Sequence, residues 1–240
     1  MYRNLFILLI VLSTVYLAIP FSADTEHSSM FLTVSTFLFA ILTGFFIARQ
    51  NSRYNQIREQ IATFDGNITA LYRGFGQFGD EVQKKAAKII NRHYRKILEM
   101  QQWDYHFMHK SSTIKELGSL LHETVGQRQL PSGPHLVLRD MIQSLDGLQV
   151  ARKNMVALQV ERIPKLPQTL IYFLAIMLLF VLALIPSTAL MFDALLKGAF
   201  GTIVIFLVIL LRQLDDLHLF EGTLGEASAQ DVLNILSERR

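Results

Sequence analysis

The chain contains no cysteine among its 240 residues. That excludes disulfide staples, thiolate metal sites and cysteine nucleophiles. Short segments alternating apolar and polar residues between turns are also missing, which excludes a membrane β-barrel. No Gly-x-Ser-x-Gly elbow occurs, and Gly74, Gly76 and Gly79 follow no strand and precede no Gly-Lys-Ser/Thr, so a phosphate loop is excluded too. The carboxylates are scattered without acid–base pairing. The reading is therefore of a protein that is not an enzyme and holds no cofactor. His106 and His109 lie three apart and share a helix face, but no second cluster of ligands lies nearby, and their aromatic neighbours suit packing better than metal. No metal is expected.

Charge is almost absent from four long runs, Asn4–Pro20, Met30–Ala48, Thr169–Pro186 and Met191–Leu211. Crossing about 30 Å of hydrocarbon takes about 20 helical residues, and each run comes near that length. A backbone in lipid has to satisfy its own polar groups, which makes these runs helices. Leu5–Ile19 is long for the apolar core of a signal peptide, and Phe21 is too bulky for a small-x-small cleavage pattern, so the first run is read as a retained helix.

Positive charge is concentrated between the second and third runs. Arg49–Gln168 carries 18 of the 23 Lys and Arg residues against 11 acids, while Phe21–Ser29 carries only Asp24 and Glu26. Arg49, Arg53 and Arg58 follow the second run, and Arg162 and Lys165 precede the third. The positive-inside bias then puts the insert and both termini in the cytoplasm. Attraction to anionic lipid accounts for the basic surplus more simply than nucleic acid, which is not an expected partner.

The insert reads as helices throughout. Tyr54, Ile57, Ile61, Phe64, Ile68 and Leu71 recur at alternating spacings of three and four, a coiled-coil-like seam continuing the second run, with Arg53, Arg58 and Glu59 off it. The glycines at 74, 76 and 79 break this helix. Asp80 is the expected N-cap of a helix to about His109, burying Val82, Ala86, Ile89, Ile90, Tyr94, Ile97 and Leu98. Thr113–Glu116 reads as a capping box opening a helix to about Val125. Pro131–Pro134 is a loop. A helix from about His135 to Arg162 presents Leu138, Met141, Ile142, Leu145, Leu148 and Met155. Pro164 and Pro167 interrupt the chain before the third run. The expected class is an all-α integral membrane protein, with four transmembrane helices and a cytoplasmic helical bundle inserted between the second and third. The expected divisions are 1–48, 49–168, 169–212 and a tail at 213–240.

Within the membrane the candidate sites are polar or small. At 100° per residue, Ser29, Thr33, Thr36, Ala40, Thr43 and Gly44 cluster on one face of the second helix. Such a stripe serves either close helix packing or a pore lining, where Phe39 beside it would govern wetting. In the fourth helix Ala194, Gly198 and Thr202 form a small-xxx-small track that signals packing. Asp193 and Lys197 form an i, i+4 pair near its outer end, where Lys197 can snorkel. Arg212, Asp215, Asp216 and His218 close its inner end and are expected to anchor it.

Three segments carry a family resemblance: Phe37–Gly44 running into a basic helix with Ala70–Leu71–Tyr72–Arg73, then Arg162–Pro167, and finally Leu214–Asp215 through Phe220–Glu221–Gly222 to a terminal helix at Ser228–Ser237. Over about residues 30–238 the chain resembles the bestrophin-like membrane family of bacteria. The resemblance implies an oligomeric anion-channel architecture in which the second span lines the pore. Ser35, Phe39 and Thr43 would then be its constriction positions. Asp215–Asp216 does not match the acidic calcium clasp of animal bestrophins, so calcium gating is not implied. The expected function is that of an inner-membrane ion channel or channel-related protein. Its partners would be the lipid bilayer, further copies of itself and anions. The alternative is a membrane-anchored scaffold or sensor whose helical bundle binds a partner.

Overall fold

A computed structural model describes residues 2–18, 25–102, 104–108, 112–126, 134–186, 190–217 and 224–237. Among these, nine helices and no strand occur. They are α1 (Tyr2–Ala18), α2 (Thr25–Gly76), α3 (Asp80–Met100), α4 (Tyr105–Met108), α5 (Thr113–Gly126), α6 (Pro134–Val160), α7 (Lys165–Leu184), α8 (Leu190–Asp215) and α9 (Leu224–Ser237). Asp24, His109, the loop at 131–133, the turn at 187–189, His218 and 220–222 lie outside the described residues. Three helices are long and apolar enough to cross a membrane, over Ser28–Gly76, Lys165–Leu184 and Met191–Asp215, and Phe6–Ala18 is a shorter apolar helix. The chain divides into two compact units, Met1–Ser52 with Arg162–Asp216, and Arg53–Glu161 with Leu217–Arg240.

The first unit holds the apolar helices. Helix α7 buries Ile171, Leu174, Ala175, Leu178, Val181 and Leu182, the three-and-four spacing of one face. Phe173, Ile176 and Phe180 stay exposed on the other. The buried face meets Phe39 and Phe46 of α2 and Val204 and Leu211 of α8 in one cluster. Helix α1 lies along α8. Gly198 makes this contact close, because a Cβ there would collide with the Ser13 hydroxyl and come within 3.1 Å of the Ser13 backbone. One turn on, Gly201 is packed by Leu179, Leu12 and Tyr16, and the Tyr16 hydroxyl donates to the Leu179 carbonyl at 3.1 Å. Small residues here let two backbones approach in a medium where the hydrophobic effect gives no drive to associate.

The second unit has a hydrophobic core of its own. Phe64, Ile68, Leu71, Tyr72 and Phe75 of α2 pack with Ala86, Ile90, Tyr94 and Ile97 of α3. Leu117, Leu120 and Leu121 of α5, Met141, Leu148 and Met155 of α6, and Ala229, Val232 and Leu236 of α9 complete it. The seam predicted from Tyr54 to Leu71 supplies Ile57, Phe64, Ile68 and Leu71 as buried residues, with Tyr54 and Ile61 half-buried. Gly74 sits hard against Met141, whose Cγ would be 2.6 Å from any Cβ at that position. Gly79 has a φ of 113°, which glycine adopts without strain, and it turns the chain from α2 into α3.

Several local expectations need correction. Gly79, not Asp80, occupies the N-cap of α3, so Asp80 lies in the first turn, where it still complements the helix dipole. Helix α3 stops at Met100 rather than near His109, because Gln101 takes a left-handed conformation (φ 51°) that cannot continue it. At the start of α5 Ser112 reaches the Glu116 carboxylate, and the buried Thr113 hydroxyl lies 3.0 Å from the His93 ring. Ile142 is exposed, one position off the face that Met141, Leu145 and Leu148 share. Arg53 is not on a solvated face either. It is buried, and its guanidinium donates to the Leu158 carbonyl at 2.6 Å and the Gln159 carbonyl at 2.8 Å, satisfying the last turn of α6.

Two outcomes are expected in detergent-solubilised protein. Gly198→Leu forces α1 away from α8 and should cost about 1–3 kcal/mol in unfolding measurements. Gly44→Ala, where an added Cβ meets nothing within 4 Å, should have little effect. Arg53→Met leaves the α6 carbonyls buried and unpaired and should cost about 1.5–3 kcal/mol, whereas Arg58→Met at an exposed site should cost almost nothing.

Candidate functional site

The membrane part of α2 shows three faces. Ser28, Ser35, Phe39, Thr43, Phe46 and Gln50 are buried at spacings of three, four and seven. Met30, Phe31, Val34, Phe37, Leu38, Ile41 and Phe45 are exposed and apolar. Between the two, about a quarter turn from the buried face, run Ser29, Thr33, Ala40 and Gly44, all exposed, with Thr36 and Ile47 half-buried along the same line. The stripe of small residues is thus split. Thr43 belongs to the packed core, Thr36 is half-buried, and Ser29, Thr33, Ala40 and Gly44 lie open on the protomer. Thr33 donates to the Ser29 carbonyl one turn back, at 2.9 Å, so its hydroxyl is satisfied without a neighbour.

The proposed constriction residues fall elsewhere. Ser35, Phe39 and Thr43 are each at most 5% exposed, and Phe39 packs in the cluster formed with α7 and α8. They face the protomer's own helices. The Thr43 hydroxyl is buried without a hydrogen-bond partner.

On α8, Ala194 and Gly198 are buried and Thr202 is half-buried, donating to the Gly198 carbonyl at 2.7 Å; of the three, Gly198 is the one in the α1 contact described above. Lys197 is buried as well. Its ammonium donates to the Ile185 carbonyl at the end of α7, while Asp193 is half-buried one turn before it. At the other end of α8 the carboxylate of Asp215, 6% exposed, accepts from the Gln50 side chain at 3.0 Å and the Ile163 amide at 2.8 Å. Asp216 pairs with Arg162 at 3.2 Å and Arg212 at 3.8 Å. Asp215 thereby ties α2, the extended segment before α7, and α8 into one knot.

The second unit contains polar groups that periodicity does not reveal. The rings of His93 and His106 stack with centroids 3.8 Å apart, and Phe64 stacks on the far side of His93 at 5.6 Å. His106 therefore stacks on His93. The His106 Nε2 lies 2.8 Å from the His93 carbonyl, which can only accept, so the proton sits on Nε2. The His93 Nδ1 lies 3.0 Å from the Thr113 hydroxyl. Burial, and then the nearby His106, hold the His93 imidazole well below its ordinary range, so it is neutral at physiological pH. Opposite, the Asp65 carboxylate accepts from the Tyr94 and Ser228 hydroxyls. Burial and the Asp65 carboxylate push the Tyr94 phenol well above its usual range, which keeps it a donor. Among the described residues, no group of three or more His, Asp or Glu is placed to hold a metal.

His93 has a consequence for stability. The unfolded chain binds a proton at this residue near pH 6.5 and the folded chain only far below, so acidification favours unfolding. The stability present above about pH 6.5 should fall as the pH drops from there toward the folded-state value. His93→Gln should flatten that part of the stability–pH curve relative to the parent, measured by denaturant unfolding at a series of pH values. An unchanged slope would refute a neutral His93.

Comparison with curated proteins and with solved structures gives no match. A family model described as the Bestrophin-like domain matches residues 5–224, nearly the whole chain and both units. With its apolar helices and the match along its length, this chain is a membrane protein that belongs to the bestrophin-like family.

Proposed function

We propose that this protein is a multi-pass inner-membrane protein that works as an ion channel, or as a channel-related protein, in a homo-oligomer. In this reading α1, α2, α7 and α8 cross the bilayer. Both termini and the basic helical insert lie in the cytoplasm, as the positive-inside bias requires. Anions are the permeant species.

The observation that carries the reading is the open line of Ser29, Thr33, Ala40 and Gly44 on α2. Hydrocarbon is served by large apolar side chains, and α2 has those on its adjoining face. A line of small and hydroxyl residues left uncovered by its own protomer offers lipid little contact area. Copies arranged about a rotation axis would turn this line toward each other or toward a central aqueous path. Family membership supports the same arrangement. The exposed line, rather than Ser35, Phe39 and Thr43, is then the pore lining.

The second reading is a membrane-anchored scaffold or sensor. It is favoured by the second unit's hydrophobic core, drawn from five helices.

Purified protein in planar bilayers under asymmetric chloride separates the two. The channel reading expects anion current, cut several-fold by Ala40→Phe and unchanged by Phe37→Leu on the apolar face. Phe39→Ala should act through lost packing, lowering thermal stability. A well-folded oligomer that carries no current would overturn the channel and leave the scaffold. A strictly monomeric mass in detergent would overturn the oligomer.

A further inference from the structure

The second unit carries a half-open pocket of about 440 Å³, within the size range of small-molecule sites. Its charge is one-sided. Lys115 of α5 and Arg152 and Lys153 of α6 line it together with the stacked His93 and His106, and no carboxylate is among the described lining residues. None of the three cations has an ion-pair partner among the described residues. Arg152 is half-buried, and its Nε is sealed from solvent with no hydrogen-bond partner. A half-buried guanidinium is only partly screened by water, so its remaining N–H groups attract an anion in the pocket more strongly than a fully solvated cation would. Phe64, Ile114 and Leu145 supply the apolar wall.

We propose that this cavity binds a small organic phosphate monoester, with its phosphate on Arg152, Lys115 and Lys153 and its organic body against the apolar wall. A phosphate monoester carries close to two negative charges at neutral pH and three acceptor oxygens, which suits two ammonium groups and a planar guanidinium fork. The three cations come from two helices packed against each other, α5 and α6, so the anion also relieves the repulsion between them. The ester can come from a soluble metabolite or from a lipid with a phosphate monoester headgroup. The proposal stands independently of whether the protein conducts ions.

Gly118 supplies a decisive variant. It lines the cavity, yet a Cβ built there meets nothing within 4 Å. Gly118→Leu should therefore fill the cavity while the helix tolerates, or gains from, the loss of a glycine.

The test is titration calorimetry on the full-length protein in detergent, using phenyl phosphate, inorganic phosphate and the soluble short-chain lipid dioctanoyl phosphatidic acid. Phenyl phosphate is expected to bind, with inorganic phosphate at least tenfold weaker. Arg152→Met should weaken phenyl phosphate more than tenfold, Lys153→Met several-fold, and Gly118→Leu should abolish binding with an undiminished thermal midpoint. Phosphatidic acid displacing phenyl phosphate would identify the lipid as a source. Phosphatidic acid that does not compete would point to the soluble ester. Absence of binding to folded protein at millimolar phenyl phosphate would overturn the proposal. Binding left intact by both Arg152→Met and Gly118→Leu would also overturn it, by placing the ligand elsewhere.

Discussion

Hydrocarbon removes the hydrophobic effect as a force between helices, and the first unit is organised around that loss. What holds it is close approach and polar satisfaction. Gly198 brings α8 onto the Ser13 backbone, Tyr16 bonds the Leu179 carbonyl, and Lys197 covers the Ile185 carbonyl where α7 ends. At the opposite end Asp215 collects the Ile163 amide, a donor at the residue just before Pro164 that no helix would otherwise use. The hydrogen bonds to the Ile185 carbonyl and from the Ile163 amide each answer a backbone group that would otherwise go unpaired away from water.

The second unit faces the opposite situation. Its core is a continuous apolar cluster, so packing supplies the stability and buried polar groups supply uniqueness. Tyr94, Asp65 and Ser228 link α3, α2 and α9, and Arg53 closes the end of α6. The small terminal helix belongs here because Ala229, Val232 and Leu236 complete the core. The polar groups fix which helix faces meet, a choice that interchangeable aliphatic residues leave open.

Much of this was legible in the residues. The spacing of Ile57, Phe64, Ile68 and Leu71 marks the buried seam, and Gly198 in its track of small residues marks the close approach to α1, because both patterns act within one helix. Family membership was also legible, from the second span, the Arg162–Pro167 link and the tail. Less legible was which stripe of α2 is covered. Ser35 and Gly44 are both small, and only the positions of α7 and α8 decide that one is packed and the other open. The His93–His106 stack was missed because its members are 13 residues apart on different helices. The cavity cations escaped notice for the same reason, since Lys115 and Arg152 look like surface residues in a list. The burial of Arg53 is not legible because its partners are carbonyls, which no sequence displays. Helix α3 was drawn too long because the helical pattern does not foresee a left-handed Gln101.

The contact between Ser13 and Gly198 also sets a schedule. Gly198 leaves the ribosome 185 residues after Ser13, and translation at roughly 5–20 residues per second makes that a wait of roughly 10–40 s. Throughout it α1 has no α8 to pack against, while the whole of the second unit's α3 to α6 is being synthesised. The helix made late in the chain is the one that closes on the first.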